Sequence, residues 1–185
     1  MRIARKLNAD HEIIKRFIAV LGSGMIELSG NKLARPGFFI VAHSFISEYI
    51  EAGFFKKEEL LIKALEDLGF PTDNGAISFM RSDQKKSREI AEQLIEAAKQ
   101  WQAGDEEARM DVGWTTSEFT TTMRQHLERL KNLVFPLLEQ NLALEDEHKI
   151  AEGFNTILFE GVLQNTPDKY EKLIATLEEE LDDWR

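Results

Sequence analysis

The chain contains no cysteine, and this absence removes several kinds of chemistry at once. Disulfide bonds, thiolate ligands for zinc or iron–sulfur clusters, and cysteine nucleophiles are all excluded. The absence leaves the redox compartment open, because proteins without cysteine occur in oxidising and reducing compartments alike.

Proline and glycine are also scarce, with four prolines and eleven glycines in 185 residues. Since these residues break helices, their scarcity leaves room for long uninterrupted helices. Basic residues are fewer than acidic ones, and the formal net charge is −10. Nucleic-acid binding is therefore disfavoured, because its affinity comes from Lys and Arg neutralising phosphates.

Long apolar runs are missing as well. No stretch approaches the ~18 consecutive apolar residues that a membrane span needs, and none follows the N-terminus as a signal peptide would require. We therefore expect no membrane partner and a cytoplasmic location. A length of 185 residues predicts a single domain, residues 1–185, with one core.

Apolar residues recur at steps of three and four along four segments, which is typical of helices packed against other helices. The predicted helices run from about Asn8 to Gly30, Pro36 to Leu68, Gly75 to Ala103 and Thr115 to Asn141, with a loop over 103–113. The fourth carries the inward stripe Phe119, Met123, His126, Leu130, Leu133 and Leu137.

Short connections favour antiparallel neighbours, so we predict an all-α fold, an up-down-up-down four-helix bundle over about 8–141. Two more helices, over about 144–183 with a break at 165–167, are expected to pack on this bundle as a C-terminal pair.

Each predicted bundle helix carries a polar residue on its apolar stripe, and the alternating directions place four of them at one level. They are His11, Glu58, Gln84 and His126. Bundle cores hold metal sites built from Glu and His, and iron, manganese or zinc accept such ligands. The alternative is a set of buried side chains that only hydrogen-bond one another.

His43 lies on the same stripe as Glu58 but outside this layer, since 15 residues of helix separate them by ~22 Å. We expect its imidazole to hydrogen-bond the hydroxyl of Thr115 or Thr116. The alternative is an axial ligand to a haem or the polar end of an apolar cavity. His148 lies among acidic residues near the C-terminus and is expected at the surface.

Five segments, in this order and spacing, resemble the hemerythrin-like HHE cation-binding family. They are Asp10–Ile14, Phe45–Leu61, Gly75–Met80 with Arg88, His126–Pro136 and Lys169–Leu173. The resemblance implies a four-helix bundle that holds two iron ions with a bridging carboxylate.

The same resemblance shows where the ligand set departs from the family. His11, Glu58 and His126 match ligand positions, whereas Phe54, Gln84 and Leu130 stand where a His, a His and a Glu are expected. With one carboxylate left, two adjacent cations would repel each other almost uncompensated in a low-dielectric core. This argues against a di-iron centre.

Two states of the core stay open. One holds a single metal ion, iron before others, on His11, Glu58 and His126, with Gln84 or water completing the coordination. The other holds no metal, with His11 or His126 hydrogen-bonded to Glu58 while Phe54 and Leu130 fill the vacated space.

The resemblance implies a binding or sensing protein rather than an enzyme, with iron, oxygen or a related small diatomic as ligand. Its usual di-iron site is expected to be lost or reduced to a mononuclear one. The alternatives are a metal-free bundle that serves protein–protein interaction or self-association, and a mononuclear non-haem metalloenzyme.

Overall fold

The computed structural model describes residues 2–164 and 167–185, and for 158–167 it describes no side chain. This part of the chain forms six helices and no strand, which confirms the predicted all-α fold. The helices are α1 (Arg2–Glu27), α2 (Pro36–Asp67), α3 (Gly75–Gln102), α4 (108–141), α5 (Leu144–Gln164) and α6 (Pro167–Trp184). Of the predicted break at 165–167, residues 165–166 lie outside the described residues, and Pro167 is already the first residue of α6.

Helices α1 to α4 alternate in direction around one apolar core. Phe38 at the start of α2 packs against Gly24 near the end of α1. Phe39 lies 6.3 Å, between ring centroids, from Trp101 at the end of α3. Helix α4 closes the ring by packing against both α3 and α1. The up-down-up-down bundle is thus confirmed.

Helices α5 and α6 lie along the groove between α1 and α2 and pack on both of them. Lys6 of α1 donates to the Asn155 side chain of α5 at 2.9 Å. Further along the groove, Tyr170 of α6 lies 5.2 Å from the ring of Tyr49. The predicted C-terminal pair therefore covers one side of the bundle.

The predicted start of the first helix at Asn8 is wrong, because α1 already begins at Arg2. Ile3 and Leu7 in its first turns are fully buried. The backbone nitrogen of Arg2 donates to Glu147 of α5 at 2.6 Å. Asn8 is a good N-capping residue, but it does not set the start of the helix, because these contacts with α5 stabilise the earlier turns.

The predicted loop over 103–113 is too long, because α4 begins at Ala108 and not at Thr115. Arg109 donates to the backbone oxygen of Leu28 at 2.9 and 2.6 Å and to that of Asn31 at 2.7 Å. It thereby satisfies carbonyl groups at and beyond the end of α1. The acidic composition of the segment indicated a loop, but these contacts across the bundle hold it helical.

Two stretches of the bundle helices have the wider π-helical turn, Ile46–Phe54 in α2 and Leu130–Val134 in α4. The second changes which residues face inward. Leu133 and Leu137, predicted on the stripe, are only half-buried, whereas Val134 and Leu138 are buried. A π-turn adds a residue to the helix turn and shifts every later side chain around the axis.

Helices α2 and α3 are each followed by a glycine with a positive φ. Gly69 adopts φ +90 just after α2, and the amide of Phe70 donates to the carbonyl of Leu65 at 3.0 Å. This is the left-handed C-terminal cap that glycine forms readily because it has no Cβ. Gly104 ends α3 in the same way, with φ 111.

Among the described residues, α2 is the one helix whose length and composition are those of a membrane span. The core helix of a water-soluble protein has the same length and composition, and 44% of the apolar window of α2 is buried inside the bundle.

Gly24 is the tightest point of the α1–α2 contact. A Cβ at Gly24 would lie 2.4 Å from a ring carbon of Phe38, which itself packs 5.0 Å from the ring of Trp184. We expect Gly24→Ala to lower the free energy of unfolding by about 1–3 kcal/mol, the usual effect of overpacking a core. Urea denaturation followed by circular dichroism measures this change.

Gly22 provides the matched control in the same helix. A Cβ there would have its nearest neighbour 3.9 Å away, at the end of the flexible Arg124 side chain. Gly22→Ala should therefore stabilise the protein, by up to about 1 kcal/mol, through helix propensity alone. Equal effects of the two substitutions would contradict the tight contact with Phe38.

Candidate functional site

Three of the four predicted polar residues meet in the middle of the bundle. The Glu58 carboxylate of α2 contacts Nε2 of His126 from α4 through one oxygen. Its other oxygen accepts a hydrogen bond of 2.6 Å from the Gln84 amide of α3. All three side chains are at most 2% exposed. The predicted layer thus joins α2, α3 and α4.

Two residues that the sequence did not predict complete this arrangement. Asp83 of α3 accepts from Nδ1 of His126 at 3.0 Å and from Nη1 of Arg129 at 2.5 Å. The guanidinium of Arg129 also lies 5.2 Å above the centre of the Phe79 ring. We call Glu58, Asp83, Gln84, His126 and Arg129 the core network.

A signal for both residues is present in the sequence. Asp83 directly precedes Gln84, and Arg129 follows His126 by three residues, so that it lies on a neighbouring face of α4. Either residue alone reads as part of a solvated helix face. Only their meeting across two helices identifies them as partners of His126.

The charges of the core network stabilise one another. Burial alone would lower the pKa of His126, but the charge of Glu58 and the hydrogen bonds that the ring donates to Asp83 and Glu58 outweigh it and raise the pKa to about 9. Burial would raise the pKa of Asp83, but His126 and Arg129 hold it below its usual value. At neutral pH the His126 ring is therefore a cation between two carboxylates.

His11, the fourth predicted residue, does not join the core network. Its ring stacks on Phe135 with centroids 5.6 Å apart and meets the edge of Phe54 at 5.5 Å. Its Nε2 atom is buried without a hydrogen-bond partner among the described residues. Burial lowers the pKa of His11 to about 4, which leaves a neutral imidazole at neutral pH.

Phe54 and Leu130 occupy two of the positions where the family resemblance implies ligands. Both are buried, with 1% and 0% exposure, and neither has a donor atom. Phe54 is the last residue of the π-helical stretch in α2, and Leu130 is the first of that in α4. π-Turns are often found at functional sites.

A second charged group lies beside His11 and Glu58, between α1 and α2. The Asp10 carboxylate accepts from Lys57 at 2.6 Å and from the Tyr49 hydroxyl at 2.7 Å. Burial and the charge of Asp10 raise the pKa of Tyr49, so this hydroxyl keeps its proton. We call Asp10, Tyr49 and Lys57 the outer cluster, which the sequence did not predict.

The predicted hydrogen bond between His43 and Thr115 or Thr116 is wrong. The Thr115 hydroxyl donates to its own helix, to the carbonyl of Asp111 at 2.8 Å, and that of Thr116 is buried without a partner among the described residues. His43 is half-buried and within electrostatic reach of Glu92 and Lys99 of α3.

His148 lies at the surface as predicted, and its Nε2 is 3.1 Å from Glu152.

The structure brings the predicted metal ligands only partly together. In the described part of the chain, no three His, Asp or Glu side chains are already gathered closely enough to hold a metal. His126 and Glu58 contact each other directly, and His11 keeps a free ring nitrogen. A bridged pair of ions would need ligands at the positions of Phe54 and Leu130, and neither side chain has a donor atom.

Comparison with known proteins gives one match. A family model, the Hemerythrin HHE cation binding domain, matches residues 2–138. No curated protein and no solved structure matches the chain. The matched region contains α1 to α3 and nearly all of α4, with the whole core network, and ends before α5.

Removal of the Glu58 carboxylate should destabilise the protein strongly. Glu58→Ala leaves the His126 cation buried with one carboxylate partner in place of two, and breaking a buried ion pair in this way costs about 3–5 kcal/mol. Glu66→Ala, which removes a partly exposed ion pair with Arg81, should cost about 1 kcal/mol or less. Urea denaturation of both variants compares them, and similar losses would contradict a buried charged site.

The raised pKa of His126 makes stability depend on pH. Its folded pKa of about 9 lies above the unfolded value of 6.5, so its contribution is complete below 6.5 and is lost as pH rises through 9. We expect the free energy of unfolding of the metal-free protein to fall over this range. The fall should be absent in His126→Gln, measured by urea denaturation at a series of pH values.

His11→Gln is the control for this pH dependence. The folded pKa of His11 is about 4, so its contribution is present above 6.5 and is lost as pH falls through 4. His11→Gln should keep the fall between pH 6.5 and 9 and change the acid side only. A variant of His11 that removed the alkaline fall would contradict the assignment to His126.

Proposed function

The chain belongs to the hemerythrin HHE cation-binding domain family, which confirms the resemblance in its motifs, and from this membership we propose that it is a binding protein for a single metal ion. The proposed ion is iron before other metals, and the proposed role is binding or sensing rather than catalysis. We propose further that this chain does not assemble a di-iron centre.

The contact between His126 and Glu58 carries this proposal. It brings an imidazole nitrogen and a carboxylate oxygen together in the buried centre of the bundle. His11 adds a neutral imidazole whose Nε2 has no partner among the described residues and which lies within electrostatic reach of His126. Two imidazoles and one carboxylate are a ligand set that non-haem iron and zinc accept.

A metal ion would compete for atoms that the metal-free protein already uses. Nε2 of His126 and one oxygen of Glu58 are engaged with each other, so an ion must separate them before both can act as ligands. Ligands must also be deprotonated, so binding would release a proton. The amide oxygen of Gln84, and not the nitrogen that now donates to Glu58, or else water would complete the coordination. The metal would supply a Lewis-acidic centre, while the protein supplies the position and excludes water.

Two ions do not fit the residues present. Phe54 and Leu130 offer apolar carbon only. Gln84 directs its amide nitrogen, which cannot act as a ligand, toward Glu58. Glu58 is the one carboxylate left at the positions that match the family's ligands, and the nearby Asp83 is already paired with Arg129. Two adjacent cations would therefore repel each other strongly in the low-dielectric interior.

A second candidate function, a metal-free bundle that acts through its surface, is favoured by a different observation. Every polar atom at the contact has a protein partner, since both ring nitrogens of His126 and both oxygens of Glu58 are engaged. The two carboxylates of the core network are balanced by the cations of His126 and Arg129. In this candidate the hydrogen bonds replace the metal, and the ligand is another protein or a second copy.

Metal analysis decides between these candidates. Protein purified without chelator, and protein reconstituted with ferrous iron without oxygen, should hold near-stoichiometric metal. His126→Ala should lose it, because it removes a ligand, whereas His148→Ala should keep it, because that ring is exposed and belongs to a surface ion pair with Glu152. Elemental analysis of the four samples measures this.

Two results would overturn the proposal. Protein that stays free of metal after reconstitution would support the metal-free candidate. Twice the metal content, with the absorption of an oxo-bridged iron pair after exposure to oxygen, would show that a di-iron centre assembles despite Phe54 and Leu130.

A further inference from the structure

We propose that Asp83 and Arg129 are positioning residues that set the orientation of the His126 ring. They thereby determine where its Nε2 atom faces in the site. The proposal deepens the proposed function, and rests on it only for the identity of what His126 and Glu58 bind. It concerns two residues outside the positions where the family resemblance implies ligands.

The first step is the choice that an imidazole ring offers. Its two nitrogens are distinct, and the hydrogen bond at one of them fixes the tautomer and direction of the other. In this protein Nδ1 of His126 bonds Asp83 at 3.0 Å, and Nε2 faces Glu58. A ring turned by half a revolution would lose the Asp83 bond and leave a buried nitrogen without a hydrogen-bond partner, which is unfavourable.

The second step is how Asp83 itself is held. Arg129 donates to its other oxygen at 2.5 Å, so each carboxylate oxygen has its own partner. His126 and Arg129, three residues apart on α4, both donate hydrogen bonds to this one side chain of α3. The guanidinium of Arg129 also stacks on Phe79 of α3, which restricts its own position. These contacts of Asp83 and Phe79 therefore hold α4 against α3 at the level of His126.

The third step is exposure along the core network. Glu58, His126 and Gln84 are at most 2% exposed and Asp83 is 7% exposed, whereas the Arg129 side chain is 42% exposed. Arg129 is thus the member through which solvent reaches the network. It is also the last residue before the π-helical stretch of α4, at the point where the helix changes its turn. The geometry places control of a buried ring at the surface of α3 and α4.

The test reads the ring of His126 directly, in protein treated with chelator. Long-range proton–nitrogen NMR spectra resolve Nδ1 and Nε2 of each histidine, and His126→Gln assigns the His126 signals. Asp83→Asn keeps the shape of the side chain and removes its charge. It should change the Nε2 signal and speed the exchange of its proton with solvent, although Glu58, the partner of Nε2, is untouched.

Arg129 supplies the second variant, which acts one bond further out and is partly exposed. Arg129→Gln should change the same Nε2 signal in the same direction and by less. Arg129→Lys keeps the charge and should restore part of the original spectrum. Arg124→Gln removes an exposed arginine from the same helix and should leave the His126 signals as they are. Circular dichroism melts confirm that each variant is folded.

The proposal is overturned if Asp83→Asn and Arg129→Gln both leave the Nε2 signal of His126 unchanged, while Glu58→Gln abolishes that signal. If Asp83→Asn does not fold, the comparison of Arg129→Gln with Arg124→Gln decides alone, and identical spectra overturn the proposal.

Failure of the proposed function looks different. Protein without metal whose Nε2 signal still depends on Asp83 would refute single-ion binding and keep the positioning role. If metal binds, Asp83→Asn should also lower the metal affinity about 10–100-fold, the usual effect of removing the outer hydrogen bond of a ligating histidine. Metal affinity unchanged by Asp83→Asn would count against positioning and leave the metal function standing.

Discussion

The His126 ring lies between two carboxylates from two other helices, Glu58 on α2 and Asp83 on α3. A buried charge of this kind is tolerated only when its partners are in place, because the loss of hydration is large and the attraction must offset it. The three helices must therefore meet at one depth and one rotation. Apolar packing alone permits several arrangements of similar helices, and the contact with His126 favours one of them.

The two sides of the bundle use the same device. Between α3 and α4, Asp83 pairs with Arg129, and between α1 and α2, Asp10 pairs with Lys57. In each case the acid directly precedes an inward polar residue, Gln84 or His11. The polar layer is thus flanked on both sides by an ion pair that joins neighbouring helices. His11 lies inside the layer without a hydrogen-bond partner for Nε2, between aromatic rings.

Membership of a metal-binding family and the state of its site are separate matters in this chain. The family pattern covers residues 2–138 and includes the bundle, which is stabilised by a continuous apolar core. Phe54 and Leu130 extend that core into positions where the resemblance implies ligands, so the bundle keeps its packing with fewer donor atoms. Helices α5 and α6 lie beyond the matched region and cover the groove between α1 and α2.

The sequence by itself determined the family, the four bundle helices and their directions, and the meeting of Glu58, Gln84 and His126. Each follows from the apolar period, the short connections between helices and the motifs. Tertiary structure decided the early starts of α1 and α4, the place of Asp83 and Arg129, and the isolation of His11. It also decided that Val134 and Leu138, and not Leu133 and Leu137, face the core, because a π-turn breaks the regular period on which the stripe was predicted. Partners on other helices decide such features, and a single helix period carries no record of them.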